Sequence, residues 1–499
     1  MPPTGQGSLT YWMEEWKTRN KMIEKINNMK TSVLGIAILF FSLSAAAQEK
    51  KMSLQQCIDT ALKNNIQVKQ TGLQTDAALI NLQQAKENLL PGVNGGFGYG
   101  LNQGRNVDPL TNSYINQQLA SSNVNLSGGV TLFNGMRLQN LIKQNNFAYG
   151  AAKMDLQQSK DNLTLNVILD YLQVLSNEDV LETSKEQAAV TKKQVERMDI
   201  MVKEGASANY LLSDLKGQLA NEQIAIINAA NALQQSKLSL CQLMNIDYNS
   251  QLELEKRDVG LPATEYAGTA DDVYQSALQN FAQIKSNTLK VESAGKAVNV
   301  SRAGFYPTIT LNGNLGSSYS SLAQSLTPTN VTEVQTGSYV IIGGNQNQVL
   351  KQQQNYSSYK TAYTKQLNNN LGTFVGINMQ IPLFNRFQTR NNVKLATLNF
   401  KNTQLESDNA KIQLKQNIEQ AHLNMNAAYE RFKVLTEQEL DFEESFRAAE
   451  VRFNNGVINS AEYLISKNNL DRTKISLAQA RYEYSFRTQV LDYYKGNHK

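Results

Sequence analysis

The residues that do most chemistry in proteins are scarce here. The chain of 499 residues has two histidines, His422 and His498, and two cysteines, Cys57 and Cys241. His422 follows Glu419 on a stretch of helical pattern, with no partner at metal-ligand spacing, and His498 sits one residue from the C-terminus. The cysteines are far apart and form neither a metal-binding pair nor a disulfide framework. The run Gly95-Gly96-Phe97-Gly98-Tyr99-Gly100 lacks the helix that a phosphate cradle needs behind it. Lys plus Arg number 48 against 43 Asp plus Glu, a formal charge of +5 with no basic cluster, which argues against a nucleic-acid partner. No catalytic, cofactor-binding or metal-ligating residue is assigned, and the expectation is a protein that is not an enzyme. Whatever the chain does must come from its elements.

The N-terminal region carries an export address. Met29-Lys30 precedes the apolar run Val33–Leu43, and Ala45-Ala46-Ala47 supplies a cleavage site. This is the pattern of a signal peptide over 29–47, cut after Ala47. The run is short of the ~20 residues of a membrane-spanning helix. Residues 1–28, with Trp12 and Trp16, read as an over-called upstream segment. The residue directly after the cleavage site is Gln48 and not cysteine, so no lipid anchor is expected.

The mature chain reads as two copies of one unit. Ala61-Leu62-Lys63-Asn64-Asn65 recurs as Ala277-Leu278-Gln279-Asn280-Phe281, Pro91 as Pro307, Phe133-Asn134 as Phe384-Asn385, and Gly205 as Gly456. The first repeat spans 52–260 and the second 271–495, with a connector over 261–270. A longer polar loop is expected at about 320–370 in the second copy. Each copy runs helix, strand, strand, long helix, helix.

Prolines are missing between 110 and 261 and after 382, which permits very long helices. They are expected at ~135–204 and ~209–245, then at ~385–455 and ~460–495. A 70-residue helix is roughly 100 Å long, a length useful to a coiled coil rather than to a globule. Leu212, Leu219, Ile226, Leu233 and Leu240 recur every seven residues, as do Tyr463, Leu470, Leu477, Tyr484 and Leu491. Such repeats imply left-handed supercoiling. The alternate core series Leu215, Glu222, Ala229, Ser236 and Leu243 is weaker and suits either tight packing or a wet second face. The helices of each pair meet at turns built on Gly205 and Gly456.

Four segments alternate with period two, at ~92–101, ~122–133, ~308–319 and ~371–383. Val93, Phe97, Tyr99 and Leu101 face one way while glycine and asparagine face the other. Their length suits tilted strands crossing a bilayer. Four strands cannot close a barrel, and lipid forbids an open edge. If these strands span, several chains must share one barrel.

Taken together, the sequence resembles the TolC-like outer-membrane factor family over about residues 52–495. The resemblance rests on the duplicated plan, on Leu90-Pro91 and Tyr306-Pro307 before strands, and on Leu132-Phe133-Asn134-Gly135 and Leu383-Phe384-Asn385 after them. Phe453-Asn454-Asn455-Gly456 followed by Glu462 and Leu464 completes it. It implies a mainly α fold with membrane β structure. A long periplasmic α-helical coiled-coil barrel would join a 12-stranded trimeric β-barrel, four transmembrane strands coming from each chain. It implies a homotrimer and a passive exit duct for tripartite efflux or type I secretion. The duct would sit in outer-membrane lipid and extend into the periplasm. Its partners would be a periplasmic adaptor and an inner-membrane RND or ABC transporter. Glu462 and Phe453 fall where the family places periplasmic gate residues, Asp214, nine residues past Gly205, is the gate candidate on the other hairpin, and Gly205 and Gly456 stand at the hairpin tips. Ile458 and Ile465 depart from the family, replacing a gate arginine and a second acidic ring. The rival reading is a periplasmic coiled-coil scaffold, which accounts for the seven-residue repeats but not for four strands of membrane-crossing length.

Overall fold

The structure is a computed structural model describing residues 51–107, 112–256 and 265–496; the expected signal peptide and the segment before it lie outside the described residues. In chain order the elements begin with α1 (Leu54–Asn64), α2 (Ile66–Glu87), β1 (Gly92–Asn102), β2 (Arg105–Val107), β3 (Tyr114–Asn116), β4 (Leu119–Phe133), α3 (Arg137–Lys203) and α4 (Asn209–Met244). The second copy follows with α5 (Ala270–Asn280), α6 (Ala282–Arg302), β5 (Thr308–Ser320), β6 (Gln324–Ile342), β7 (Asn345–Lys360), α7 (Tyr363–Asn369), β8 (Gly372–Gln380), α8 (Gln388–Asn454) and α9 (Ser460–Lys495). The duplication is visible in helix lengths. α1 and α5 have 11 residues each, α2 and α6 have 22 and 21, α3 and α8 have 67 each, and α4 and α9 have 36 each. Among the described residues no helix is long and apolar enough to cross a membrane.

The chain divides into two units, and α3 and α8 contribute to both. One unit comprises 67–107, 112–160, 268–420 and 494–496 within the described residues. It holds an antiparallel sheet in the order β1-β4-β5-β8. None of these strands contains a charged residue. Register places Val130, Leu311 and Ile377 side by side on one face, with Leu126 beside Leu315 and Phe97 beside Val124. Val375 and Ile377 on this face are 76% and 70% exposed. The other face pairs asparagine with glycine: Asn125 lies between Gly96 and Gly316, and Asn312 between Gly129 and Gly376. A Cβ on Gly96 would fall 2.5 Å from Asn125 Oδ1, so the glycines make room for the carboxamides. Among the described residues, the outer edges of β1 and β8 are unpaired.

Two features of this unit differ from the sequence reading. The last strand stops at Gln380, before Pro382, because proline has no N–H for the ladder. The region read as a polar loop at about 320–370 is instead the long hairpin β6–β7 followed by α7. Its turn is Gly343-Gly344, with φ of +60° and +87°, the two-residue left-handed turn that suits twisted strands. Val331, Val334, Tyr339 and Val340 provide strand propensity that the surrounding Gln, Asn and Thr had masked.

Strand-to-helix joints are also duplicated. Gly135 and Met136 have φ of +67° and +63°, and Arg386 and Phe387 have φ of +56° and +61°. Each pair takes the left-handed conformation immediately before the next helix starts.

The other unit comprises 51–66, 161–256, 265–267 and 421–493 within the described residues. Its core is the helical seam. Leu212, Leu233 and Leu240 are buried, and so are Leu215, Glu222, Ala229 and Ser236 of the alternate series. The small residues therefore serve close packing rather than a wet face. Tyr463, Leu470, Tyr484 and Leu491 are buried on α9. α1 starts with a Ser53–Gln56 capping box and buries Cys57 and Ala61. The segment after α4 straps onto α3: Tyr171 donates to the Glu255 carbonyl at 2.6 Å, and Lys256 pairs with Asp179 and Glu182 at 3.2 and 3.0 Å. Residues 257–264, which include part of the expected connector, lie outside the described residues.

Candidate functional site

The two hairpin turns belong to the helical unit. α3 ends at Gly205 (φ +71°), where the Ala206 N–H returns to the Met201 carbonyl at 2.8 Å. α8 ends at Gly456 (φ +70°), where the Val457 N–H returns to the Arg452 carbonyl at 2.9 Å. Both are helix stops that need a left-handed residue. Open space surrounds a Cβ at either position, so conformation rather than room selects glycine.

The residues singled out in the sequence have different surroundings. Glu462 is exposed in the first turn of α9, and its own N–H donates to Asn459 Oδ1 at 2.9 Å. A carboxylate there favours the positive end of the helix dipole. Asp214 accepts from Ser460 Oγ at 2.8 Å, which joins α4 to the start of α9. Phe453 is half-buried and stacks on Tyr463 with ring centroids 4.6 Å apart; Phe446 meets the same tyrosine at 5.7 Å. Burial pushes the Tyr463 hydroxyl above the ordinary phenol range, and the carboxylates of Glu450, Asp471 and Glu222 add to this. Ile458 packs with Met198, Leu212, Leu215 and Tyr463 in one apolar cluster, where an arginine would lose its hydration. Ile465 is exposed.

Further polar links join the hairpins. Arg197 donates to Asn454 Oδ1 at 2.5 Å, and Gln194 to Glu450 at 3.4 Å. Between the turns lies a cavity of about 580 Å³ lined by Arg197, Met201, Tyr210, Asn454 and Glu462, among others. Polar groups surround much of it, but among the described residues no cluster of three or more His, Cys, Asp or Glu could hold a metal. The arrangement can bind, link and separate.

The sequence reading missed a buried ionic group. Lys467 of α9 donates to Glu222 Oε1 of α4 at 2.9 Å and pairs with Asp471. Burial raises the Asp471 carboxyl above its ordinary range, and Lys467 opposes that rise. The available signal was Glu222 itself, an acid within an apolar heptad series.

Comparison with known proteins places these features in context. The family model described as "Outer membrane efflux protein" matches residues 57–245 and 273–496. The outer membrane protein TolC of Salmonella enteritidis is 22% identical over 470 residues, covering 93% of this chain and 85% of that protein. The toxin and drug export protein A of Aggregatibacter actinomycetemcomitans is 20% identical over 445 residues, covering 87% and 84%. Among solved structures, the CmeC outer membrane channel of Campylobacter jejuni superposes with a TM-score of 0.72 at 17% identity, covering 89% of this chain and 85% of that one.

Proposed function

The chain belongs to the outer membrane efflux protein family, and on that premise we propose how it assembles and is gated. The protein is an outer-membrane exit duct for efflux or secretion that extends into the periplasm. It is a passive channel component and not an enzyme.

The proposed assembly is a homotrimer. The observation that carries it is the charge-free, four-stranded sheet with a lipid-compatible face and two unpaired edges. Closure by three copies gives twelve strands, within the known range of outer-membrane barrels. Exposed seven-residue stripes support the same reading: Ile66, Leu73 and Ile80 along α2, and Leu398, Leu405 and Ile412 along α8. Buried between copies, they would supply the apolar seam that a single chain leaves in water.

The proposed gate lies at the hairpin turns. Three copies of Glu462 around a threefold axis concentrate negative potential and favour cations. Asp214 and Phe453 act on the closed position, the first through Ser460 and the second by anchoring the end of α8 on Tyr463. The proposed partners are a periplasmic adaptor seated at the cavity between the turns and an inner-membrane transporter of the RND or ABC class. The bilayer itself is the third partner. A coiled-coil scaffold would account for the helices but not for an apolar sheet face standing in water.

Native mass measurement of the detergent-extracted protein tests the assembly. A mass of three chains supports it; a monomer without outer-membrane association contradicts it.

A further inference from the structure

The buried ionic group lies behind the turns, about two helical turns along α4 and α9 from the Asp214–Ser460 bond. The Lys467 side chain is 2% exposed and that of Glu222 8%. Glu222 Oε1 accepts from Lys467, from Thr191 Oγ1 of α3 and from Gln218 Nε2 of α4, each at 2.9 Å. The Gln218 amide also donates to Asn468 Oδ1 of α9 at 2.8 Å. From α3, Gln187 donates to the Asp471 backbone carbonyl at 3.0 Å. Three helices drawn from both hairpins meet in one knot, and among the described residues Glu222 Oε2 has no partner.

Such a knot is a poor source of stability. Desolvation of the charges offsets their attraction, and well-packed apolar replacements are often neutral or better. Its effect is on geometry. Apolar side chains can slide past one another at small cost, whereas an ammonium drawn off its carboxylates is left charged in an apolar interior. A polar group at a core position thus fixes register.

The knot is spaced to act on the turns. Asp214 and Glu222 are eight residues apart on α4, and Ser460 and Lys467 are seven apart on α9. At 1.5 Å per residue these are about 12 and about 10.5 Å along helices that both start from the turns. The Asp214–Ser460 link and the Glu222–Lys467 link are therefore successive rungs between the same two helices. A slide or rotation of α9 that parts the first rung must also break the second. The first is partly open to water and salt; the second is buried and weakly screened.

We propose that Lys467, Glu222 and Asp471 form a buried register lock that holds the α8–α9 hairpin against α3–α4 with the turns closed, and that opening requires breaking it. This rests on the gated-duct reading and adds a regulatory element behind the gate.

The test uses the full-length protein with the triple change Glu222→Leu, Lys467→Met and Asp471→Leu. Thermal stability should be equal or higher, yet open-state occupancy in planar bilayers should rise at least about fivefold. A second measurement needs no channel: disulfide formation between Asp214→Cys and Ser460→Cys should slow when the triple change is added. Unchanged occupancy together with an unchanged cross-linking rate overturns the lock. Absence of conductance in the parent would count against the duct reading, while the cross-linking rate would still decide the lock. Should the triple variant not fold, Thr191→Val removes one bond to Glu222 and must shift both readouts in the same direction by a smaller factor. No shift in that variant contradicts the proposal.

Discussion

Ser460, buried at the start of α9, donates its hydroxyl to Asp214 of α4 at 2.8 Å and so ties one helical hairpin to the other. Ser460→Ala removes the donor without adding bulk. The expected loss of stability is about 1 kcal/mol, as for a typical intramolecular hydrogen bond. The same change should make opening more frequent, read as shorter closed dwell times in bilayer recordings. Unaltered dwell times would leave the bond as a capping detail only.

Gly205 and Gly456 adopt φ of +71° and +70° with open space around them. Alanine at either position meets no clash but must hold a left-handed conformation, a cost of roughly 1–2 kcal/mol. Asparagine, which tolerates that region, should cost less. Melting of the two variants ranks them, and equal melting temperatures would contradict this account of the turns.

Much of the architecture was legible because it rests on periodicity. The seven-residue series from Leu212 and Tyr463, the glycine turns and the proline stops are one-dimensional signals of helical packing. The alternation around Phe97 and Ile377 is likewise a direct signature of a two-faced sheet. The β6–β7 hairpin was hidden because its strands are rich in Gln, Asn and Thr, and polarity alone reads as loop. At the turns, sequence could mark Glu462, Asp214 and Phe453 by position but not by partner. That Phe453 stacks on Tyr463, that Asp214 meets Ser460, and that Lys467 finds Glu222 from another repeat are outcomes of three-dimensional packing.

The strand-to-helix joint carries a sharper steric prediction. A Cβ on Gly135 would lie 2.7 Å from Tyr306 Cβ and 2.9 Å from the Ala303 carbonyl oxygen, at a φ of +67°. Backbone and a rigid ring junction cannot move aside as a flexible side chain would. Gly135→Ala should sharply lower the yield of folded protein. Gly217→Ala, in the interior of α4 with open space around it, should instead add about 0.5–1 kcal/mol. Comparable yields for both variants would refute the steric argument.

Cys57 and Cys241 are buried free thiols. Burial pushes the Cys57 thiol up to about 12, and the neighbouring Cys241 adds to the rise. The folded state therefore holds the proton, and this contribution to stability is lost as pH rises from the ordinary thiol range toward that value. At neutral pH the folded protein should take up no maleimide. After unfolding without reductant it should take up two per chain. Labelling of the folded state, or fewer than two labels after unfolding, would contradict the assignment.

The most direct test of the central claim is the reversal potential of the purified outer-membrane protein in a planar bilayer under a salt gradient. The gated-duct account predicts discrete conductance with cation preference, and a loss of that preference in Glu462→Gln. Absence of conductance would contradict the duct, and an unchanged preference in Glu462→Gln would remove Glu462 from the gate.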